Sequence, residues 1–200
     1  MKKLVLLFVL AALPAAAFAK DAYAEYYGSY IWLPIYNWDH NGQTVEIGKT
    51  GFSAGLAFVR NIGSYLSVGL DGNYSGFATS DKFNAGTQQA KYNSGIATGM
   101  IIGRLNLFPS QPTRLYATAG AGVGHMFTRE KWDDGSHDTV NSTSWAGMLG
   151  AGMEFDIDDS VIFGVEGRYN LIDLQSKYSD AFGKSRYHFL SAMLKIGCRF

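Results

Sequence analysis

The sequence has 200 residues, enough for one sizeable domain, with 24 glycines, 14% aromatic residues and four prolines. Lysine plus arginine and aspartate plus glutamate number 17 each, and removal of the two leader lysines described next leaves a charge near −2. That charge argues against a nucleic-acid partner, which requires a basic surface. The single cysteine, Cys198, excludes an intramolecular disulfide.

Residues 1–19 predict a cleavable signal peptide. Lys2 and Lys3 form a positive start, the apolar run LVLLFVLAALPAAA follows, and Ala17-Phe18-Ala19 matches the A-x-A cleavage signal. The remaining domain, 20–200, contains no apolar run of about 18 residues that would predict a transmembrane helix. A transmembrane strand needs only about 9–11 residues of alternating character, so the absence of such a run does not exclude a membrane protein built from β-strands.

Eight segments that alternate apolar and polar residues predict eight β-strands, at about 23–33, 49–60, 65–77, 92–107, 114–128, 144–157, 161–170 and 187–200. The connections alternate strictly between long and short, at 34–48, 61–64, 78–91, 108–113, 129–143, 158–160 and 171–186. Short periplasmic turns and long outer loops are typical of bacterial membrane barrels. The predicted fold is all-β, an eight-stranded antiparallel up-and-down transmembrane β-barrel with both termini on the periplasmic side.

The two faces of the segments favour a membrane barrel over a soluble, salt-bridged one. One face carries large apolar residues, and the other carries glycines and charges, which suits a crowded interior better than a solvated surface. Four acids and four bases share the interior parity, and we expect a balanced ion network in the lumen because an unpaired buried charge is costly. The predicted members are Glu25, Asp71, Glu154 and Glu166 with Arg104, Arg168, Lys195 and Arg199.

Two further features qualify this pattern. The segment GIATGMIIGRLNLF is apolar on both faces, which predicts either a bulge or a plug of the lumen. Aromatic residues of outward parity predict two belts at the membrane interfaces. The belt near the long loops contains Trp32, Tyr74, Trp145 and Tyr169, and the belt near the short turns contains Phe58, Phe155, Phe163 and Phe200.

The stretch LYATAGAGVGHM is as rich in glycine as a phosphate-binding loop, but the spacing of its glycines argues against one. A dinucleotide site needs G-x-G-x-x-G at the start of a helix, whereas Gly120, Gly122 and Gly124 follow a period of two. That period predicts a strand whose glycines face the lumen. We expect these glycines to make room for larger charged neighbours such as Arg104 and Glu154.

The chain over 20–200 resembles the small outer-membrane β-barrels of Gram-negative bacteria, the opacity-protein and OmpA-like group. The resemblance rests on LYATAGAGVG as the fifth strand, GMLGAGMEF as the sixth, VIFGVEGRYNL as the seventh and LSAMLKIGCRF as the last. It implies location in the outer membrane and contact with its lipid and lipopolysaccharide. It also implies that the barrel-assembly machinery recognises the final strand with its terminal Phe200.

Three functions remain open from the sequence. The leading one is a non-enzymatic barrel whose long loops serve adhesion, recognition or envelope integrity, with a ligand that the sequence does not identify. The second is a narrow channel for small apolar molecules, suggested by Ile96, Met100 and Ile102 on the lumen parity. The third, a lipid A-modifying enzyme, is the weakest.

No residue pattern predicts a catalytic, cofactor or metal site. His188 lies three residues before Ser191, and in a strand an odd separation places two side chains on opposite faces. His40 and His137 lie in long loops without a specified partner. The acidic stretch EKWDDGSHD at 130–138 lacks the spacing of a calcium loop, and an ordinary surface loop is the better interpretation.

Overall fold

The computed structural model describes residues 22–32, 36–40, 43–47, 50–78, 83–85, 88–109, 112–132, 137–173 and 186–199. The signal peptide predicted at 1–19 and the terminal Phe200 lie outside these residues. All of the regular structure in the described part is β-strand. Within that part, no helix is both long enough and apolar enough to cross a membrane.

Eight strands form a closed barrel. They are β1 (Ala22–Trp32), β4 (Thr50–Asn61), β5 (Leu66–Ala78), β7 (Gln88–Asn106), β8 (Thr113–Trp132), β9 (His137–Asp156), β10 (Val161–Asp173) and β11 (Arg186–Arg199). Each pairs antiparallel with its neighbour in the ring β1-β4-β5-β7-β8-β9-β10-β11, and the β1–β11 pairing closes it. Three short strands lie within the connections: β2 (Tyr36–His40) pairs with β3 (Gln43–Ile47), and β6 (Phe83–Ala85) pairs with β7. The predicted eight-stranded antiparallel barrel is confirmed.

The two ends of the barrel differ. At the turn end, Tyr23 near the start of β1 pairs with Arg199 near the end of β11, so the first and last described strands of the barrel meet there. The three tight connections, 61–66, 106–113 and 156–161, lie at the same end. Asp158 fixes the last of them, because its carboxylate accepts hydrogen bonds from the backbone N–H groups of Ser160 and Val161 at 2.8 and 2.7 Å. We call the opposite end, with the longer connections, the hairpin end.

Four strands are longer than the sequence predicts, and one of them is β10, which continues to Asp173. β7 begins at Gln88, β8 continues to Trp132 and β9 begins at His137, so most of the expected loop 129–143 is paired strand. At about 3.3 Å per residue and a tilt of about 40°, the 20 residues of β9 span about 50 Å, twice the roughly 25 Å apolar band of such barrels. Where both faces of a strand meet water the apolar alternation fades, and the pattern therefore gave no sign of these extensions.

The strands place their apolar face outside and their charged face inside. Outward side chains such as Leu70, Ile101 and Leu194 are more than half exposed, whereas Arg104 is 1% exposed. This is the arrangement expected where hydrocarbon surrounds the wall. β7 pairs with β5 and β8 in an unbroken register, so the expected bulge is absent from this strand. The alternative, that its apolar residues plug the lumen, describes Ile96, Met100 and Ile102, which are all buried.

Candidate functional site in the barrel lumen

Arg104 is the first centre of an ion network in the turn-end half of the lumen. It lies on β7, and its guanidinium donates to both carboxylate oxygens of Glu25 on β1, at 2.7 and 2.9 Å. It also donates to Glu154 on β9 at 2.5 Å and to the hydroxyl of Tyr23 at 2.6 Å. The Arg104 guanidinium carbon lies 4.2 Å from the ring centroid of Tyr116, a cation–π contact. Bidentate pairs of this kind hold their geometry well.

Lys195 extends the network along β11. Its ammonium lies 2.7 Å from Glu25 and 2.8 Å from Glu166, so it bridges carboxylates of the two neighbouring strands. Tyr116 of β8 donates its hydroxyl hydrogen to the same Glu166 at 2.8 Å and accepts from Lys195 at 3.0 Å. Glu25, Glu166 and Lys195 are all almost fully buried. Each carboxylate in this part of the network therefore has at least one cation in contact.

Arg168 carries the network across the barrel. Its Nε donates to Glu166 at 2.8 Å, and its Nη1 lies 3.1 and 3.2 Å from the carboxylate oxygens of Asp71. Tyr27 donates its hydroxyl hydrogen to Asp71 at 2.9 Å. β10 and β5 lie four strands apart in either direction around the ring, so this ion pair crosses the full diameter of the lumen. Side chains fill an eight-stranded barrel at such a level and leave no wide aqueous channel.

The structure brings together seven of the eight charges assigned to the lumen. Arg199 is the exception, because it is partly exposed at the turn end and pairs there with Asp156. Arg114 takes its place beside the network: it lies 3.7 Å from Glu154 and 2.7 Å from Asp156. Four acids and three bases are thus buried, and the Arg114–Asp156–Arg199 cluster at the rim adds one more base than acid. Sequence reasoning did not select Arg114, although it shares the lumen parity of Tyr116 on β8; parity gives no information about height along the barrel.

Sequence reasoning also missed Tyr23, Tyr27 and the polar layer above the network, although both tyrosines share the lumen parity of β1. The period of two in LYATAGAGVGHM does place Tyr116 in the lumen, where it is buried. Short polar side chains follow toward the hairpin end. Ser29 of β1 contacts Ser53 of β4, and on the adjoining strands β10 and β11 Asn170 donates to Ser191 at 3.0 Å. This layer separates the ion network from an apolar one.

The hairpin-end half of the lumen is filled by apolar and aromatic residues. Phe77 of β5 meets Phe189 of β11 edge to face, with ring centroids 5.5 Å apart, although these strands are three positions apart in the ring. Tyr187 lies 6.0 Å from Phe77 in a similar geometry. The buried cluster also contains Ile96, Met126, Ala146 and Ile172. Side chains therefore cross the lumen in this half as well.

The glycines of LYATAGAGVGHM face the lumen, but their neighbours are not the charges expected. A Cβ added at Gly120 would lie 3.0 Å from Ile102 and 3.1 Å from Met148, and one at Gly124 would meet Ala146 and Ile172. The described glycines that adjoin charged side chains lie on β9, β10 and β11: Gly150 adjoins Glu166, Gly164 adjoins Glu154 and Lys195, and Gly197 adjoins Glu25. The motif thus makes room for the apolar plug.

The predicted outer aromatics lie as follows. Tyr74, Trp145 and Tyr169 are exposed on the outer face, while the side chain of Trp32 lies outside the described part of the chain. Phe127, which sequence reasoning did not select, stacks on Tyr74 with ring centroids 6.0 Å apart.

His188 faces outward and Ser191 is buried in the lumen, so they lie on opposite faces. Among the described residues, no cluster of three potential metal ligands occurs.

Comparison with known proteins yields a family and a fold. The family described as outer membrane protein beta-barrel domain matches residues 5–200. Solved structures similar to this chain include Ail, the attachment invasion locus protein of Yersinia pestis, at 15% identity and TM-score 0.52, covering 90% of this chain and all of that one. OprG from Pseudomonas aeruginosa matches at 12% identity and TM-score 0.58, covering 91% and 96% of the two chains.

Neisserial surface protein A gives a comparable result, with 13% identity, TM-score 0.52 and coverage of 90% of this chain and 98% of that one. At these identities the similarity shows the fold alone. A search of curated proteins returned no significant match.

Proposed function

The chain belongs to the outer membrane protein β-barrel domain family and is located in the outer membrane of a Gram-negative-type bacterium, and from this premise we propose that it is a non-enzymatic scaffold with a closed lumen. Its hairpin end projects outside the cell and serves adhesion or recognition. The termini lie on the periplasmic side. The observation that carries this proposal is the Asp71–Arg168 pair, which joins opposite walls of the barrel.

Closure of the lumen favours a scaffold because it leaves no open path along the barrel axis for a transported solute. Charged residues fill the turn-end half and aromatic residues fill the hairpin-end half. The β8–β9 hairpin, by contrast, extends far beyond the length needed to cross the apolar band. A rigid barrel that carries long hairpins suits recognition, since binding residues concentrate in connections held by a rigid scaffold.

The proposal can be tested on whole cells with a shortened hairpin. Replacing residues 129–139 by Asn-Gly would join Thr128 to Val140, which already pair across the hairpin. We expect the variant to remain heat-modifiable on gels, as a folded barrel is, and to lose adherence to host cells and to glycan-coated surfaces. A variant with residues 133–136 scrambled is the length-matched control. Adherence of the shortened variant equal to that of the wild type would contradict the assigned role.

A narrow channel for apolar molecules is the second candidate. The observation in its favour is the apolar hairpin-end lumen around Ile96, Met100 and Ile102. The ion network below it weighs against passage along the axis, because an apolar solute would have to displace paired charges. Planar-bilayer recordings and uptake of an apolar dye by vesicles separate the candidates: the scaffold predicts neither conductance nor uptake.

Assembly is a separate part of the proposal. We assign Phe200 as the terminal signal that the barrel-assembly machinery reads, together with the alternating face of β11. Removal of Phe200 alone should lower the amount of barrel in the outer membrane and raise the amount of degraded periplasmic precursor. Replacement of Phe200 by Tyr, another aromatic residue, should leave assembly unchanged.

A further inference from the structure

The outer wall of the barrel is not uniform: a groove of about 530 Å³ runs across β9, β10 and β11. Its floor is made by Gly167 and Ala192, which face outward in one row of the sheet. The next row toward the hairpin end is formed by Leu149, Tyr169 and Leu190, whose large exposed side chains make a wall over the floor. The volume lies within the range of about 300–1,000 Å³ that small-molecule sites occupy.

A positively charged side chain, that of Arg186, lies on the same outward face, farther toward the hairpin end than the groove. Along β11 the outward side chains after Leu190 are His188 and then Arg186, at the hairpin end of the strand. The His188 ring stacks on Tyr169, with centroids 5.9 Å apart. The Arg186 side chain is 64% exposed, and its contact with Asp173 is loose at 3.9 Å. Arg186, His188, Leu190 and Ala192 therefore form a continuous path from a charged top to an apolar floor.

The length of this path is close to the depth of one membrane leaflet. Arg186 and Ala192 are six positions apart, which is about 20 Å along the strand. At a strand tilt of 35–45° this becomes about 15 Å of depth. One leaflet contributes half of an apolar thickness of roughly 25–30 Å, or about 12–15 Å. A lipid whose phosphate contacts Arg186 would thus end its chain over the groove floor.

The groove is too small for a protein partner. Eight residues line it, whereas a stable interface takes about 20–30 residues from each side. Since the wall faces membrane, hydrocarbon chains surround it in any case. An acyl chain gains no hydrophobic free energy by moving from lipid to this wall, so selective binding requires close packing on several sides and a specific headgroup contact.

We propose that the groove binds one acyl chain of lipid A, the membrane anchor of lipopolysaccharide, and that Arg186 binds a phosphate of the same molecule. The chain packs on Gly167 and Ala192 under the overhanging Leu149, Tyr169 and Leu190. The planar guanidinium of Arg186 donates two parallel hydrogen bonds to the phosphate, for which its geometry is well suited. Asp173 opposes this contact only weakly, because the exposed pair is loose. This assignment rests on the proposed outward orientation of the hairpin end.

The test is a lipid titration on the folded barrel. The full mature protein is inserted into phosphatidylcholine nanodiscs that contain a graded fraction of bisphosphorylated lipid A, and native mass spectrometry counts the lipid A molecules bound per barrel. We expect saturation at one molecule for the wild type. Arg186→Gln should weaken binding about fivefold, the value of one cation near a charged lipid headgroup. Its affinity for dephosphorylated lipid A should equal that of the wild type.

Gly167→Leu should abolish the saturable binding because its side chain fills the groove. An added Cβ at Gly167 meets nothing closer than the carbonyl oxygen of Ala151 at 4.0 Å, so the wall has room for it. Gly99→Leu is the matched control: Gly99 faces outward on β7, away from the groove, and has nothing within 4 Å. Ala192→Leu fills the same groove from β11 and repeats the test should Gly167→Leu not fold.

Three results would overturn the assignment. Equal lipid A binding by Gly167→Leu and Gly99→Leu would remove the groove from it. Phosphatidylglycerol binding as tightly as lipid A would make the occupant an ordinary phospholipid. Dimers of the wild type that dissociate in Gly167→Leu would identify the occupant as a second copy of this chain. Nanodiscs expose both faces, so this titration is independent of orientation in cells, which an epitope in residues 133–136 reports separately.

Discussion

Replacement of Arg168 by methionine tests the central claim that the lumen is held closed by paired charges. The substitution keeps an unbranched apolar stem but removes the guanidinium, and with it two contacts to Asp71, at 3.1 and 3.2 Å, and one to Glu166 at 2.8 Å. Glu166 still has Lys195 and Tyr116. Asp71 keeps only the hydroxyl of Tyr27 among its described partners, so the loss falls mainly on this buried carboxylate.

The expected magnitude follows from the burial of the pair. Both side chains are nearly inaccessible, at 4% for Arg168 and 0% for Asp71. Removing one partner of a buried ion pair costs about 3–5 kcal/mol, because the other charge is left uncompensated. With a urea dependence of about 2 kcal/mol per molar, a loss of about 4 kcal/mol lowers the unfolding midpoint by about 2 M.

The assay is reversible unfolding in lipid vesicles, followed by tryptophan fluorescence and by the shift between unheated and boiled samples on a gel. The double variant Asp71→Asn with Arg168→Met should recover about 2 kcal/mol of the loss, since the orphaned charge is gone. Arg60→Met, at an exposed arginine of β4, should change stability by less than about 0.5 kcal/mol. A single variant within about 1 kcal/mol of the wild type, or a double variant no more stable than the single one, would refute the reasoning.

Three more predictions address packing, closure and topology. Gly122→Ala should lower the free energy of unfolding by about 1–3 kcal/mol, because the added Cβ would overlap the carbonyl oxygen of Gly99 and lie 2.7 Å from the Cα of Met100. Gly99→Ala should be neutral, since the space around Gly99 is open, and urea titration of both variants checks the difference. The wild-type barrel should be electrically silent in planar bilayers, and a steady conductance would contradict the closed lumen. An epitope placed in residues 133–136 should bind antibody on intact cells, whereas an epitope in the tight connection 61–66 should bind only after permeabilisation.

The sequence predicted the fold because the relevant signals are local. Alternation of apolar and polar residues fixes which side of a strand each residue occupies, and this was enough to place Glu166 and Arg168 in the lumen of β10. The alternation of long and short connections predicted the up-and-down topology of the barrel. The same local logic failed beyond the wall, where β8 and β9 continue as paired strands in surroundings that impose no alternation.

The partners within the lumen could not be predicted in the same way. Arg114 and Arg199 both have lumen parity, yet the register sets Arg114 opposite Glu154 and Arg199 opposite Tyr23 at the very rim. The glycines at Gly120 and Gly124 were correctly placed on the inner face. Their neighbours proved to be Ile102, Met148 and Ile172, because the apolar half of the lumen lies at their height.

The sequence by itself thus determined the number of strands in the barrel, the side on which each of their residues lies and the inversion of the apolar and charged faces. The tertiary structure alone decided that Asp71 meets Arg168 across the full diameter, that Phe77 meets Phe189 above them, and that Gly167 and Ala192 form the floor of one groove. The physical reason is that side-chain direction repeats every two residues along a strand. The height of a residue and its partner across the lumen depend instead on strand register and barrel closure, which involve residues distant in the chain.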